Sequence, residues 1–269
     1  MFQLLAPPVD LQPFVRFFWA VRAAGTIEPE RVIPDGCCEL ILHFGARPRR
    51  LLGDSCLLQP DSFVFGQVER AIELEMRGDV DVFGVRFQPV GVAALWGVDA
   101  STLGPRECAL DELFSGSRKL HAEHMHEAAP DPSSLAVRAR YETVVSWLRA
   151  SARRGRSRYV LRAAAALAYI EQSNADARSA ARAIGVSRRG LERAFRIAVG
   201  LSPAAYWRLR RIDDCARELR RRDWTLSAIA LDAGYADQSH FSREFKDVVG
   251  LSPGAYRRRL GLAPPTLAD

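Results

Sequence analysis

The chain has 269 residues, 48% of them apolar and 26% charged. That length allows two domains with separate cores, and that balance suits a globular protein rather than a disordered or fibrous one. The net charge of +6 is unevenly placed: residues 156–261 carry 21 Lys/Arg against 11 Asp/Glu, while residues 1–155 carry 17 against 20. No run of eighteen apolar residues occurs, so no membrane-spanning helix is expected. The opening MFQLLAPPVDLQPF lacks the basic start and long apolar core of a signal peptide.

In chain order, Phe14–Arg22 is aromatic and β-branched, as a strand requires. Glu39–Phe44 alternates, with Leu40, Leu42 and Phe44 on one side. Ala71–Met76 alternates too, with Ile72, Leu74 and Met76 against Glu73 and Glu75, and Val80–Phe87 reads as another strand. Turn clusters separate them: Pro34-Asp35-Gly36, Gly53-Asp54-Ser55 and Gln59-Pro60-Asp61-Ser62. Short strands at this spacing predict an antiparallel sheet curled into a barrel or sandwich.

Helices follow. One starts near Pro89, sets Val92, Leu95 and Trp96 on one face and stops at Gly97. Asp111–Phe114 reads as a short helix, and His121–Pro132 as a polar loop. Leu135–Ala150 recurs at three and four through Val137, Tyr141, Val144, Val145 and Leu148. It either closes the N-terminal domain or pairs with a second subunit. Ser151–Arg158 is a short basic linker, a solvated tether or a phosphate contact. The expected domains are 1–150, a linker 151–158 and a basic domain 159–261.

The basic domain holds an internal repeat. Phe195 matches Phe245, Gly200-Leu201-Ser202-Pro203 matches Gly250-Leu251-Ser252-Pro253, and Tyr206 matches Tyr256, all at an offset of 50. Each copy has an alanine-rich helix (Ala177–Ile184, Leu226–Ala233), a glycine turn (Gly185, Gly234) and a second helix with an apolar face. Ser187 caps the first such helix and Asp237 or Ser239 the second, by accepting from free N–H groups. Leu191 and Phe195 face inward in one, Phe241, Phe245 and Val248 or Val249 in the other. Pro203–Arg222 reads as a long connecting helix with a stripe of Tyr206, Leu209, Ile212, Cys215 or Ala216, and Leu219. A helix entered through a tight turn, apolar behind and polar in front, is what a helix-turn-helix places in the DNA major groove. The excess of positive charge fits, because each phosphate contact releases condensed counterions.

The GYADQSHFSREFK stretch followed by GLSP resembles the signature of the AraC/XylS family of bacterial transcription regulators, and the resemblance covers roughly Tyr159–Leu260. It implies an α+β two-domain fold whose C-terminal domain is all-helical, with two helix-turn-helices joined by a long helix and reading successive major-groove segments. It implies a double-stranded DNA operator as partner, RNA polymerase as a further partner of an activator, and no enzymatic activity. Carried over position by position, the DNA contacts in the first unit are Arg189, Glu192 and Arg193, with Ser187 near phosphate; Arg188 and Arg196, left for solvent or DNA on the same outward face, complete the candidate set. In the second unit the contacts are Gln238, Ser239, His240, Ser242 and Arg243. Arg suits guanine O6 and N7, and Gln suits adenine N6 and N7. Glu192 accepts from cytosine or pairs with a neighbouring arginine; Arg243 meets DNA or pairs with Asp247. RVIPDGCCELILHF and FGVRFQPVGVAALWG resemble the N-terminal domain of a subgroup of AraC-type regulators. That implies a cupin-like antiparallel β-barrel with flanking helices, sensing a small-molecule effector or mediating a homodimer.

Asp35, Cys38, His43 and Arg86 are the candidate effector ligands. His121, His124 and His126 have a metal-compatible spacing on a polar, Pro-flanked segment, and no metal or other cofactor is expected. Cys37, Cys38, Cys56, Cys108 and Cys215 contain no C-x-x-C pair, which predicts free thiols in a reducing, cytoplasmic setting. Cys37-Cys38 reads as core or strand edge, or as a redox sensor. Two rival readings remain: a catalytic N-terminal barrel with a DNA-binding tail, and a ligand-independent interaction protein.

Overall fold

The computed structural model describes residues 1–25, 27–114, 134–153, 157–173, 177–220 and 224–260. Among the described residues there are ten strands, nine of them before the first helix: β1 Phe2–Leu5, β2 Val15–Ala23, β3 Ile27–Val32, β4 Glu39–His43, β5 Arg49–Leu52, β6 Ser55–Leu58, β7 Ser62–Phe65, β8 Ile72–Met76, β9 Val80–Phe87 and β10 Glu107–Ala109. The helices are α1 Gly91–Trp96, α2 Leu110–Leu113, α3 Ser134–Ser151, α4 Arg158–Ser173, α5 Ala177–Ala183, α6 Arg188–Ala198, α7 Pro203–Glu218, α8 Leu226–Asp232, α9 Gln238–Val249 and α10 Pro253–Leu260, with a 3-10 turn at Ala100–Thr102. The result is α+β, strands first and helices last. Among the described residues no helix is long and apolar enough to cross a membrane.

Two compact units result. One comprises Met1–Glu30, Cys37–Gln67 and Glu73–Pro203; the other comprises Arg31–Gly36, Val68–Ile72 and the chain from Ala204 onward. The first helix-turn-helix therefore belongs to the same unit as most of both sheets. The second is completed by two short segments from the N-terminal half.

In the first unit the strands form two sheets, in the orders β1-β2-β9-β4-β7-β10 and β3-β8-β5-β6. The ladders β1·β2, β2·β9, β4·β9, β4·β7, β7·β10, β5·β6 and β5·β8 are antiparallel, as the strand pattern predicts, and among the described residues no ladder joins the two sheets. The alternation of side chains sorts the six-stranded sheet. Phe18, Ala20, Cys38, Leu40, Leu42, Phe83, Val85 and Phe87 face one apolar core, shared with Val92, Leu95 and Trp96 of α1 and Val137, Val144, Val145 and Leu148 of α3. Each fully buried Phe or Leu there contributes roughly 1.5–3 kcal/mol. Trp96 packs edge-on against Phe87, Phe114 and Trp147, and its indole N–H donates to Ser151 Oγ at 3.0 Å. The apolar stripe of α3 is spent on this core, so α3 closes the domain. Arg140 reaches from α3 to Asp81 of β9 with two hydrogen bonds, and Arg22 of β2 adds a third.

The opposite face carries Trp19, Glu39, Ile41, His43 and Arg86. Trp19 lies opposite Gly84 in the ladder, where a Cβ would fall 2.0 Å from the indole. Glycine thus lets the ring lie flat across β9. Arg50 of β5 reaches Glu107 of β10 at 3.3 Å, tying the second sheet to the first.

Six strands escape the sequence pattern: β1, β3, β5, β6, β7 and β10. They are short, and β3 contains Pro29 and charged residues. A proline is tolerated there because β3 is an edge strand.

Candidate nucleic-acid interface

In the first helix-turn-helix, α5 and α6 flank a turn containing Gly185. Ser187 caps α6 by accepting from the Gly190 N–H at 3.1 Å. Leu191, Ala194, Phe195 and Ala198 are buried, which fixes the helix's rotation. Ser187, Arg188, Arg189, Glu192, Arg193 and Arg196 are all exposed on the other side. Arg188 Nε donates to Glu192 Oε1 at 3.0 Å, so Glu192 is engaged within its own helix. Arg193 lies over the Tyr159 ring, 5.3 Å from its centroid. Among the described residues Arg189 and Arg196 take no ion pair. Two exposed guanidiniums without partners retain all their donors for a planar acceptor such as a base edge or phosphate.

The second helix-turn-helix repeats the plan. Thr225 caps α8, accepting from the Ala228 N–H at 3.1 Å. Gly234 then turns at φ 74°, in the left-handed region where a side chain would be strained. Asp237 caps α9 by accepting from the His240 N–H at 2.7 Å, and that bond holds its carboxyl below the ordinary range. Phe241, Phe245, Val248 and Val249 are buried. Gln238, Ser239, His240 and Arg243 are exposed and Ser242 is half-buried. Gln238 Oε1 accepts from Ser227 Oγ at 2.8 Å, which aims the amide and leaves its N–H₂ free to donate. His240 stands edge-on to Tyr235, with Nε2 3.9 Å from Glu244. Glu244 is held in turn by Arg211 at 2.7 Å and Tyr235 Oη at 2.8 Å. Asp247 is taken by Arg208 and by Arg70, so the alternative pairing of Arg243 with Asp247 does not form. Among the described residues Arg243 has no ion pair.

The C-terminal end of α9 is finished by the two segments from the N-terminal half. The Ala71 N–H donates to Val248 O and Arg31 Nη1 to Val249 O, each at 2.7 Å. Arg70 pairs with Asp247 at 2.8 Å. The last carbonyls of a helix have no partner within it, and here the sheet-forming half of the chain supplies donors. No sequence spacing announces these contacts.

The four candidate effector ligands do not converge. Asp35 is buried in the second unit, next to Gly36, whose bare Cα allows Tyr206 to approach. Cys38 points into the apolar core. Arg86 pairs with Glu39 directly across the ladder at 2.8 Å, and Trp19 Nε1 donates to the same carboxylate at 3.1 Å. His43 is four residues along β4 from Glu39, about 13 Å at the strand rise. Its Nε2 pairs with Gln59 Oε1 at 3.2 Å, and burial lowers its pKa to about 4. The three histidines at 121, 124 and 126 lie outside the described residues. Among the described residues no group of three His, Cys, Asp or Glu is placed to hold a metal ion. Cys37 and Cys38 are both buried, the core reading of that pair.

Residues 180–259 match a family described as a helix-turn-helix domain, and residues 3–109 match a domain of unknown function. A putative AraC-like transcription regulator of Streptomyces antibioticus is 42% identical over 78 residues, 29% of this chain and 26% of that one. Residues 180–259 are thus a helix-turn-helix domain, similar in sequence to those of AraC-like transcription regulators. The HTH-type transcriptional activator AarP of Providencia stuartii is 37% identical over 73 residues, 27% of this chain and 54% of that one. The chain spans about a quarter of the length of the first relatives it matches. Among solved structures, ToxT of Vibrio cholerae aligns over 89% of this chain and 98% of its own, with 11% identity and a TM-score of 0.47.

Proposed function

We propose that the protein is a sequence-specific DNA-binding transcription regulator of the AraC type. One observation carries this. Two capped helices, α6 and α9, each bury an aromatic face and expose a polar one, at equivalent positions of a 50-residue repeat. In α6 the exposed face is arginine-rich, and Arg189 and Arg196 have no acidic partner among the described residues. Arg189 and Arg193 are the base readers on this reading, Ser187, Arg188 and Arg196 hold backbone, and Glu192 restrains Arg188. Gln238, Ser239, His240, Ser242 and Arg243 form the second contact set. The functional division is 1–150, 151–158 and 159–261. The N-terminal part senses a small molecule or mediates self-association, and its segments at 31–36 and 68–72 give it a route to α9. The protein acts by binding rather than catalysis, in the cytoplasm, with RNA polymerase as a further partner where it activates.

Arg193→Ala tests the assignment. A gel-shift series with base-substituted sites selected from random DNA should show a loss of roughly 1–3 kcal/mol and a relaxed preference at one position. Unchanged affinity and preference would remove Arg193 from the readers.

A further inference from the structure

We infer that Arg158 and Arg162 form a phosphate-binding site, which takes a DNA backbone phosphodiester beside the groove into which α6 projects Arg193. The inference rests on the proposed DNA reading and adds a site contributed by α4. Arg158 Nη2 donates to Tyr159 Oη at 3.1 Å, and its guanidinium lies 5.0 Å from the centre of that ring. Arg193 approaches the same ring from α6 at 5.3 Å. Arg162 is exposed, one helical turn beyond Arg158. One tyrosine therefore gathers cations from two helices.

Among the described residues none of the three arginines has a carboxylate partner. Arg158 and Arg162 are a like-charged i,i+4 pair, an arrangement that costs a helix stability. Arg158 also opens the sixteen-residue helix α4, where positive charge opposes the helix dipole. The Tyr159 phenol registers the same field: the Arg158 hydrogen bond is the largest influence, burial opposes it, and the charges of Arg158, Arg193 and Arg162 add to it, so that the phenol is held below its ordinary pKa. An anion bound between Arg158 and Arg162 would relieve both their mutual repulsion and the conflict with the dipole. The planar forks suit phosphate oxygens. The hydrogen bond and ring contact with Tyr159 hold Arg158 in place beforehand, which lowers the ordering cost of binding.

The test compares the full chain with Arg158→Gln/Arg162→Gln. Both positions are exposed, and a thermal melt confirms that the variant folds. Binding to a selected duplex is measured against salt. The log–log slope should fall by about 0.9, since the site takes one phosphate and each phosphate contact contributes about 0.9, with base preference unchanged. A scan of single neutral methylphosphonates through the duplex should find a linkage whose neutralisation weakens the wild type and not the variant. An unchanged slope, or equal sensitivity at every linkage, overturns the proposal while leaving the DNA reading intact. Failure of the wild type to bind any duplex overturns both. Inorganic phosphate is the control for a free anion: if it binds the wild type and not the variant while the DNA slope is unchanged, the site serves a free anion and the proposal is wrong.

Discussion

Asp81→Ala should be among the most damaging single changes in the N-terminal half. Asp81 accepts from Arg140 Nη1 at 2.7 Å and Nη2 at 3.1 Å, and from Arg22 Nη2 at 2.7 Å. The Arg140 side chain is 3% exposed and that of Arg22 16%. Arg140 also lies 3.7 Å over the Phe44 ring, so it cannot swing out to water without giving up that contact. Removing the carboxylate strands one guanidinium in the interior and a second near it, and the expected cost is about 3–5 kcal/mol. Urea unfolding followed by the fluorescence of Trp96 and Trp147, which pack where α3 meets the core, reads that unit. Asp81→Ala/Arg140→Met should recover much of the loss, because an apolar side chain then replaces the stranded charge. The pH dependence is a second check. Burial alone would raise the Asp81 carboxyl, but the bonds and charges of Arg140 and Arg22 outweigh it and hold the value below the ordinary carboxylate range. Its contribution is therefore complete above the unfolded value of about 3.9 and is lost only as pH falls through the lower folded value. A loss below 1 kcal/mol for Asp81→Ala would refute the reasoning.

Other outcomes follow from the same geometry. His43 is buried neutral with a pKa of about 4, whereas an unfolded histidine titrates near 6.5. The unfolded state binds the extra proton between those values, so stability should fall by about 2 kcal/mol from pH 7 to pH 5. Denaturant midpoints for the wild type and His43→Gln should differ in just that interval, and parallel profiles would contradict the assignment. Of the five cysteines only Cys56 is exposed, and burial pushes the Cys215 thiol up to about 12. One thiol per native chain should react quickly with a disulfide reagent, and rapid reaction of two or more would show that the buried ones open. Asp237→Ala should cost about 1 kcal/mol by removing the α9 cap, seen as a lower midpoint with an unchanged denaturant slope; no change would mean another group satisfies the His240 N–H.

The helical half was legible because its signals are local. Ser187, Asp237, Gly234 and Gly250 act on their neighbours, and Phe195 and Phe245 recur at a fixed offset. The strands with clear alternation, Glu39–His43 and Val80–Phe87, were legible for the same reason. The short edge strand at Ile27–Val32 was not, since its proline and charges resemble a loop. Long-range pairings were invisible: Arg140 meets Asp81 across 59 residues, and Arg31 meets Val249 across 218. Neither pair follows any periodicity. The candidate effector set failed to converge because residue type alone cannot say that Arg86 is claimed by Glu39 or that Cys38 turns toward the core. Tyr159 escaped notice because its importance lies in what α4 and α6 bring to it.

On the proposed function, α6 and α9 each present a sequence-reading face to DNA. The most direct test is the ratio of affinities for a site selected from random DNA and for a scrambled duplex of the same composition, measured by fluorescence anisotropy at about 150 mM salt. A regulator of this kind should favour the selected site by roughly 10³-fold or more. Equal affinity for the two duplexes would contradict it.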